Sequence, residues 1–251
     1  MSDNSAERGV PFNLDDIILF EDDDILVINK PDGLIVHHGA GVESGTLYDY
    51  LLLRYKGDDK TFINDYRLGI VHRLDKDTSG LMVIAKNRES ADNLIEQFKN
   101  HMVQKKYKAL SYGKFKAPFG EIDAPLARSA SNRKKFAVQK PGEGREAFTS
   151  YKVEEEVLYG KNGKNAVNLV DVSIKTGRTH QIRVHLSSIG HPIVNDTVYG
   201  KNRIRDIENL GLMLEAYSLI FVHPKTKEQK AFLLPLAPKF EVALNYFRNN
   251  L

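Results

Sequence analysis

The stretch Gly69-Ile70-Val71-His72-Arg73-Leu74-Asp75-Lys76-Asp77-Thr78-Ser79-Gly80-Leu81-Met82-Val83-Ile84-Ala85 sets a charged loop between two apolar segments. Residues 81–85 form a continuous apolar run of strand length, so the loop is pinned to the core at both ends. Catalytic groups tend to sit on loops anchored in this way. Upstream, 17–20 and 25–29 read as strands around an acidic turn. Lys30-Pro31-Asp32-Gly33 then carries turn chemistry ahead of another strand expected over 34–38. Thr46 and Asp49 before an apolar run resemble a capping box and predict a helix through Leu47–Arg54. Downstream, Ser90 is expected to cap a helix whose Ala91, Leu94, Ile95 and Phe98 share one face. Residues 103–112, 147–157 and 166–174 read as strands. From Thr179 the period is helical, with Ile182, Leu186 and Ile189 on one face and Gly190 and Pro192 as the stop. Pro238 is expected to open a last helix that buries Phe240, Ala243, Leu244 and Phe247. Strands dominate without strict βαβ alternation, which predicts an α+β fold with a mixed, largely antiparallel central sheet and flanking helices.

Composition narrows the function classes. The 251 residues carry 36 Lys+Arg against 33 Asp+Glu, with 41% hydrophobic and 27% charged residues, as in ordinary folded globular chains. A flexible acidic lead is expected over 1–14 and a folded unit over 15–251. The absence of cysteine excludes disulfides, thiolate metal sites and a cysteine nucleophile. No apolar run approaches the roughly 20 residues of a membrane span, and the polar start does not resemble a signal peptide. A cytoplasmic protein without membrane contact is therefore expected. Residues 1–24 hold eight acidic groups and one base, so the +3 overall leaves +10 for the remainder. That excess gathers in two stretches. Arg128, Arg133, Lys134, Lys135, Lys140 and Arg145 face Glu143 alone, and Lys175, Arg178, Arg183, Lys201, Arg203 and Arg205 face Asp196 alone. Clustered cations of this kind suit a polyanionic partner.

Residue types alone leave the Asp75 loop three chemistries. Asp75 and Asp77 could bind a divalent cation, Asp75 could act as nucleophile or base, or the loop could be a turn stitched by Arg–Asp pairs. Two carboxylates need further oxygen ligands, and none recur nearby at ligand spacing. In the second polar cluster, 175–185, Arg178 stands beside Gly177 at the junction of a strand and a helix. An arginine there can reach a buried carboxylate bidentately and keep it ionised. His180 and His185 are five apart, which does not put both rings on one helix face, and no H-E-x-x-H is present. Packing and hydrogen bonding are expected of both, and no metal.

His72-Arg73-Leu74-Asp75 with Thr78-Ser79-Gly80 resembles the first signature of the RluA-type RNA pseudouridine synthases. The run from Gly177 to His185 resembles their second signature, and Lys106-Tyr107-Lys108-Ala109 the segment carrying their active-site tyrosine. Val27-Ile28-Asn29-Lys30-Pro31, Gly190-His191-Pro192 and His223-Pro224 match in family order. The resemblance implies the pseudouridine synthase fold, with two subdomains around an RNA-binding cleft, and isomerisation of uridine without a cofactor. It assigns Asp75 as the nucleophile, Arg178 as its partner and Tyr107 as the residue that stacks on the base and helps to remove the C5 proton. Arg73 is implied to fill the gap left by the flipped uridine, and Arg133, Lys134, Lys135 and Arg183 are expected to bind RNA. Ribosomal RNA is the favoured substrate by branch, with tRNA as the alternative and an inactive RNA-binding protein of the same fold as a second. A monomer is expected. The small RNA-binding module that usually precedes the core in that branch is not expected here. Two positions depart from the pattern: Glu215 stands where relatives tend to have His, and Asn195 where they tend to have Gly.

Overall fold

Strand β3 (Ser79–Ala85) is buried at every position, which is why its sequence is apolar without alternation. Met82 and Ile84 join the larger core with Leu26 and Ile28 of β2 (Ile25–Lys30). On the other face, Leu81, Val83 and Ala85 pack with Ile25 and Val27 against Ala91 and Leu94 of α2 (Arg88–Lys99). The computed structural model describes residues 13–39, 41–55, 67–132, 135–200, 207 and 209–249. Most of the expected acidic lead, together with Arg133, Lys134, Lys201, Arg203 and Arg205, lies outside the described residues.

Eight strands run in the order β1-β2-β3-β10-β4-β9-β8-β5, and a ninth, β11, pairs with β10. The remaining members are β1 (Ile18–Glu21), β4 (Gln104–Tyr112), β5 (Phe119–Asp123), β8 (Phe148–Tyr159), β9 (Asn165–Ile174), β10 (Leu214–Val222) and β11 (Gln229–Leu233). Every pairing is antiparallel except the seam between β3 and β10, where Ser79 and Gly80 meet Glu215 and Ala216. Gly80 has φ +118°, and a Cβ there would overlap the Ala216 carbonyl, so the seam closes only with glycine. This is the mixed, largely antiparallel α+β sheet expected from the sequence. A separate hairpin, β6 (Leu126–Arg128) with β7 (Phe136–Val138), carries Lys135 at its inner end.

Helix α1 (Leu47–Arg54) has the expected bounds, and the Asp49 carboxylate accepts from the Thr46 N–H at 2.8 Å and its hydroxyl at 2.9 Å. The last helix, α4 (Pro238–Asn249), buries Phe240, Ala243, Leu244 and Phe247 as its spacing requires. Helix α3 (Gln181–Ser188) ends one residue before Ile189, which is exposed. Other local expectations fail too. Residues 34–38 form no strand, because the Ile35 and Val36 carbonyls accept from the Leu47 and Tyr48 N–H groups at the start of α1. Those carbonyls satisfy a helix end and are lost to any ladder. Helix α2 is capped by Asn87, whose side chain accepts from the Ser90 N–H at 2.9 Å, while the Ser90 hydroxyl donates to Asp24. Its Ile95 is exposed rather than part of the buried face.

Candidate active site

The loop between Gly69 and β3 is held on both sides of Asp75. His72 accepts from the Val83 N–H through Nε2 at 3.0 Å, and its ring stacks on Phe98 at 4.5 Å. Burial, helped by the Lys105 charge, pushes the His72 pKa down to about 3, so the ring is neutral and its remaining proton sits on Nδ1. Leu74 is buried in the larger core. Beyond Asp75, the Lys76 carbonyl accepts from the Gly33 N–H at 2.9 Å and from Lys30 Nζ at 3.1 Å. Lys30 is fully buried, and its ammonium also donates to the carbonyls of Pro31 and Leu34. Burial lowers the Lys30 pKa to about 8, against the opposing charges of Asp32, Asp75 and Asp77. The Lys-Pro turn thus braces the aspartate loop, a role that turn chemistry alone does not reveal.

His72 makes the fold acid-sensitive. A group with a depressed folded pKa contributes stability above its unfolded pKa of 6.5, and that contribution is lost as pH falls toward 3. His37, brought to about 4 by burial and by the Arg67 and Arg73 charges, acts in the same direction. The expected loss for His72 is at most about 1.4 kcal/mol per pH unit below 6.5. Melting temperatures of the wild type and His72→Gln, measured between pH 7 and 4.5, are expected to show the shallower decline in the variant. Parallel declines would overturn the assignment.

Asp75 opens into a cavity of about 80 Å3 whose walls include Arg73, Tyr107, Arg178, His180 and Arg183. Tyr107 comes from β4, where it lies opposite Ala216 of β10, itself opposite Gly80. The β3–β10 seam therefore sets the spacing between the aspartate loop and the tyrosine. Burial, with the Asp75 charge, pushes the Tyr107 phenol above its ordinary range, so it remains protonated. Among the described residues, the nitrogen-bearing side chains paired with Asp75 Oδ2 are Arg183, with Nη1 at 3.9 Å, and His180, with Nε2 at 4.0 Å.

Arg183, expected to bind RNA, is buried and paired beside Asp75. Its side chain is 2% exposed, and Nε and Nη2 both donate at 2.8 Å to the fully buried Asp196. Asp196 also accepts from the Val198 and Tyr199 N–H groups. Burial would raise the Asp196 pKa, but Arg183 and these N–H groups hold it below the ordinary carboxylate value. A guanidinium fixed along one edge presents its third nitrogen to Asp75. Arg178, expected as the partner of Asp75, lines the same cavity but donates Nε to the Glu146 carbonyl at 2.9 Å. It stands on the loop before α3, whereas Arg183 projects from the helix itself. Arg183 lies between Ile182 and Val184 in a helix buried from Gln181 to Leu186, and a buried cation needs a carboxylate.

The other expected residues sort by exposure. Arg73 is exposed at the mouth of the cavity. Lys135 is half-buried, with Nζ 6.0 Å from the Tyr199 ring. His185 is buried between Thr149 and the Ala124 carbonyl, at 2.9 Å from each. Both sequence departures find structural reasons. Asn195 has φ +61°, where asparagine is tolerated almost as glycine is, and its side chain donates to the Ile207 carbonyl. Glu215 is buried at the seam beside Ser79, which Lys239 also contacts at 3.1 Å.

Residues 24–188 match the RNA pseudouridylate synthase family. The chain belongs to this family. An uncharacterized RNA pseudouridine synthase of Aquifex aeolicus is 46% identical over 228 residues, covering 88% of this chain and 70% of that protein. The ribosomal large subunit pseudouridine synthase D of Zymomonas mobilis is 40% identical, covering 86% of this chain and 67% of that protein. Among solved structures, human RNA pseudouridylate synthase domain containing 1 superposes with a TM-score of 0.67 at 26% identity, covering 94% of this chain and 97% of its own. The synthase is therefore an RNA-modifying enzyme, and no helix among its described residues is long and apolar enough to cross a membrane.

Proposed function

We propose that the synthase isomerises uridines of large-subunit ribosomal RNA, with Asp75 as its nucleophilic carboxylate. The observation that carries this reading is the Asp75 carboxylate facing a cavity with Tyr107 on its wall and Arg183 locked beside it by Asp196. In the reaction the N1–C1′ bond breaks, the base turns, C5 joins C1′, the C5 proton leaves to water and N1 takes up a proton, so the product is an isomer of the substrate. No electron is gained or lost overall. Asp75 supplies the anion that meets the separated sugar, as covalent partner or stabilising charge. Arg183 fixes the direction of that carboxylate, and Asp196 fixes Arg183. Tyr107, held neutral, offers a ring face to the base and is a poor acceptor for the C5 proton. The target uridine must leave its stack to reach Asp75, at roughly a few kcal/mol, and an exposed Arg73 on the cavity wall supports its role in filling the gap. The 40% identity to relatives named for the large ribosomal subunit supports the choice of RNA.

Pseudouridine mapping of total RNA from a strain lacking the protein tests both parts. Loss at a few large-subunit positions, restored by the wild type and not by Asp75→Asn, is the expected result. Loss confined to tRNA would overturn the substrate, and loss at no position would overturn the activity.

A further inference from the structure

Beside Asp75 lies a chain of polar contacts that the reaction as described does not use. The Tyr199 hydroxyl is 2.9 Å from the Phe136 backbone nitrogen and 2.9 Å from His180 Nδ1. A backbone N–H can only donate, so the Tyr199 oxygen accepts from Phe136 and its own proton is free for His180 Nδ1. Donation of that proton to Nδ1 leaves the ring proton of a neutral His180 on Nε2, the nitrogen that faces Asp75 Oδ2 at 4.0 Å. The separation is about 1 Å beyond a hydrogen bond, and catalytic contacts commonly tighten when substrate binds. Phe136 belongs to β7, on the same hairpin as Arg128 and Lys135, and Lys135 Nζ sits 6.0 Å from the Tyr199 ring. Tyr199, Val184 and Leu126 form a small apolar cluster with Phe136 packed against it, which seats the hairpin on α3.

We propose that Tyr199 and His180 are positioning residues that join the basic hairpin to Asp75, so that the segment suited to meet RNA also orients the reacting carboxylate. This rests on the pseudouridine synthase reading and adds two residues to it. His180 is faced by Asp75 and Asp77 from the aspartate loop, by Arg183 from α3 and by Asp196 from the segment after it. Burial, with Arg183, keeps its pKa below the ordinary imidazole value against the three carboxylates. The Tyr199 proton on Nδ1 opposes protonation further. A protonated ring would form an ion pair with Asp75 and blunt its attack.

Three variants test the relay: Tyr199→Phe, His180→Asn, which tolerates the left-handed backbone at φ +56°, and the two combined. Tyr199→Phe is expected to lower kcat for tritium release from C5-labelled RNA by about fivefold, the factor one neutral hydrogen bond is worth. KM is expected to stay within about twofold, and the acid limb of kcat to move to higher pH. The double variant is expected to be no slower than His180→Asn, because the hydroxyl acts through the ring. Additive losses, or a loss with an unmoved pH profile, would overturn the relay. An activity-independent arm keeps it separable from the reaction: ring-nitrogen NMR of the RNA-free protein is expected to show the Nε2–H tautomer at His180, mixed in Tyr199→Phe. An Nδ1–H tautomer in the wild type would overturn the relay even in an active enzyme. Failure of the wild type to release tritium, with the tautomer as expected, would instead overturn the reaction assignment.

Discussion

Asp75→Asn is expected to lower turnover by at least about a thousandfold while leaving the melting temperature and RNA affinity nearly unchanged. The amide keeps the shape of the carboxylate but has neither its charge nor its nucleophilicity. The loop does not depend on this side chain for its shape. It is held by His72 on Val83, by buried Leu74 and by the Lys76 carbonyl on Gly33 and Lys30. Pseudouridine has the mass of uridine, so release of tritium from C5 is the appropriate readout. Asp77→Asn is the control and is expected to be much milder. Activity of Asp75→Asn within about tenfold of wild type would remove the assignment, and an inactive Asp77→Asn beside an active Asp75→Asn would move it to the other carboxylate.

The second large effect belongs to Arg183. Arg183→Met removes the cation beside Asp75 and leaves the fully buried Asp196 carboxylate without its bidentate partner. Breaking a buried pair from one side costs about 3–5 kcal/mol, which for a chain of this size lowers the melting temperature by about 10 °C or more. Arg183→Lys keeps the charge, but a point ammonium cannot bind both Asp196 oxygens and still face Asp75. It is expected to retain more stability than Arg183→Met yet lose most of kcat. Arg178→Met, by contrast, is expected to leave the melting temperature within about 1 °C, since its single side-chain bond to the Glu146 carbonyl is at the surface. Thermal melts and single-turnover rates of the three variants check the contrast. Equal stability of Arg178→Met and Arg183→Met would overturn the role given to Asp196.

Much of this molecule is written locally in its sequence. Thr46 and Asp49 start α1 where a capping box requires it, and the spacing of Phe240, Ala243, Leu244 and Phe247 selects the buried face of α4. The unbroken apolar run of β3 marks a strand covered on both faces, and the charged loop before it contains Asp75. These features depend on residues a few positions apart, where capping, periodicity and turn chemistry act. Tertiary structure decided what depends on distant partners. Residues 34–38 have the composition of a strand, but the N–H groups of α1 took two of their carbonyls. Lys30 acquired its place because three carbonyls, one of them from Lys76, converge on its ammonium in the core. The partner of Asp75 was decided in the same way. Arg178 and Arg183 are equivalent as charges in the sequence, and only the start of α3 at Gln181 separates them. Arg183 falls on the buried helix, where Asp196 must neutralise it and Asp75 lies within reach, whereas Arg178 stays on the lead-in loop with a backbone carbonyl close at hand.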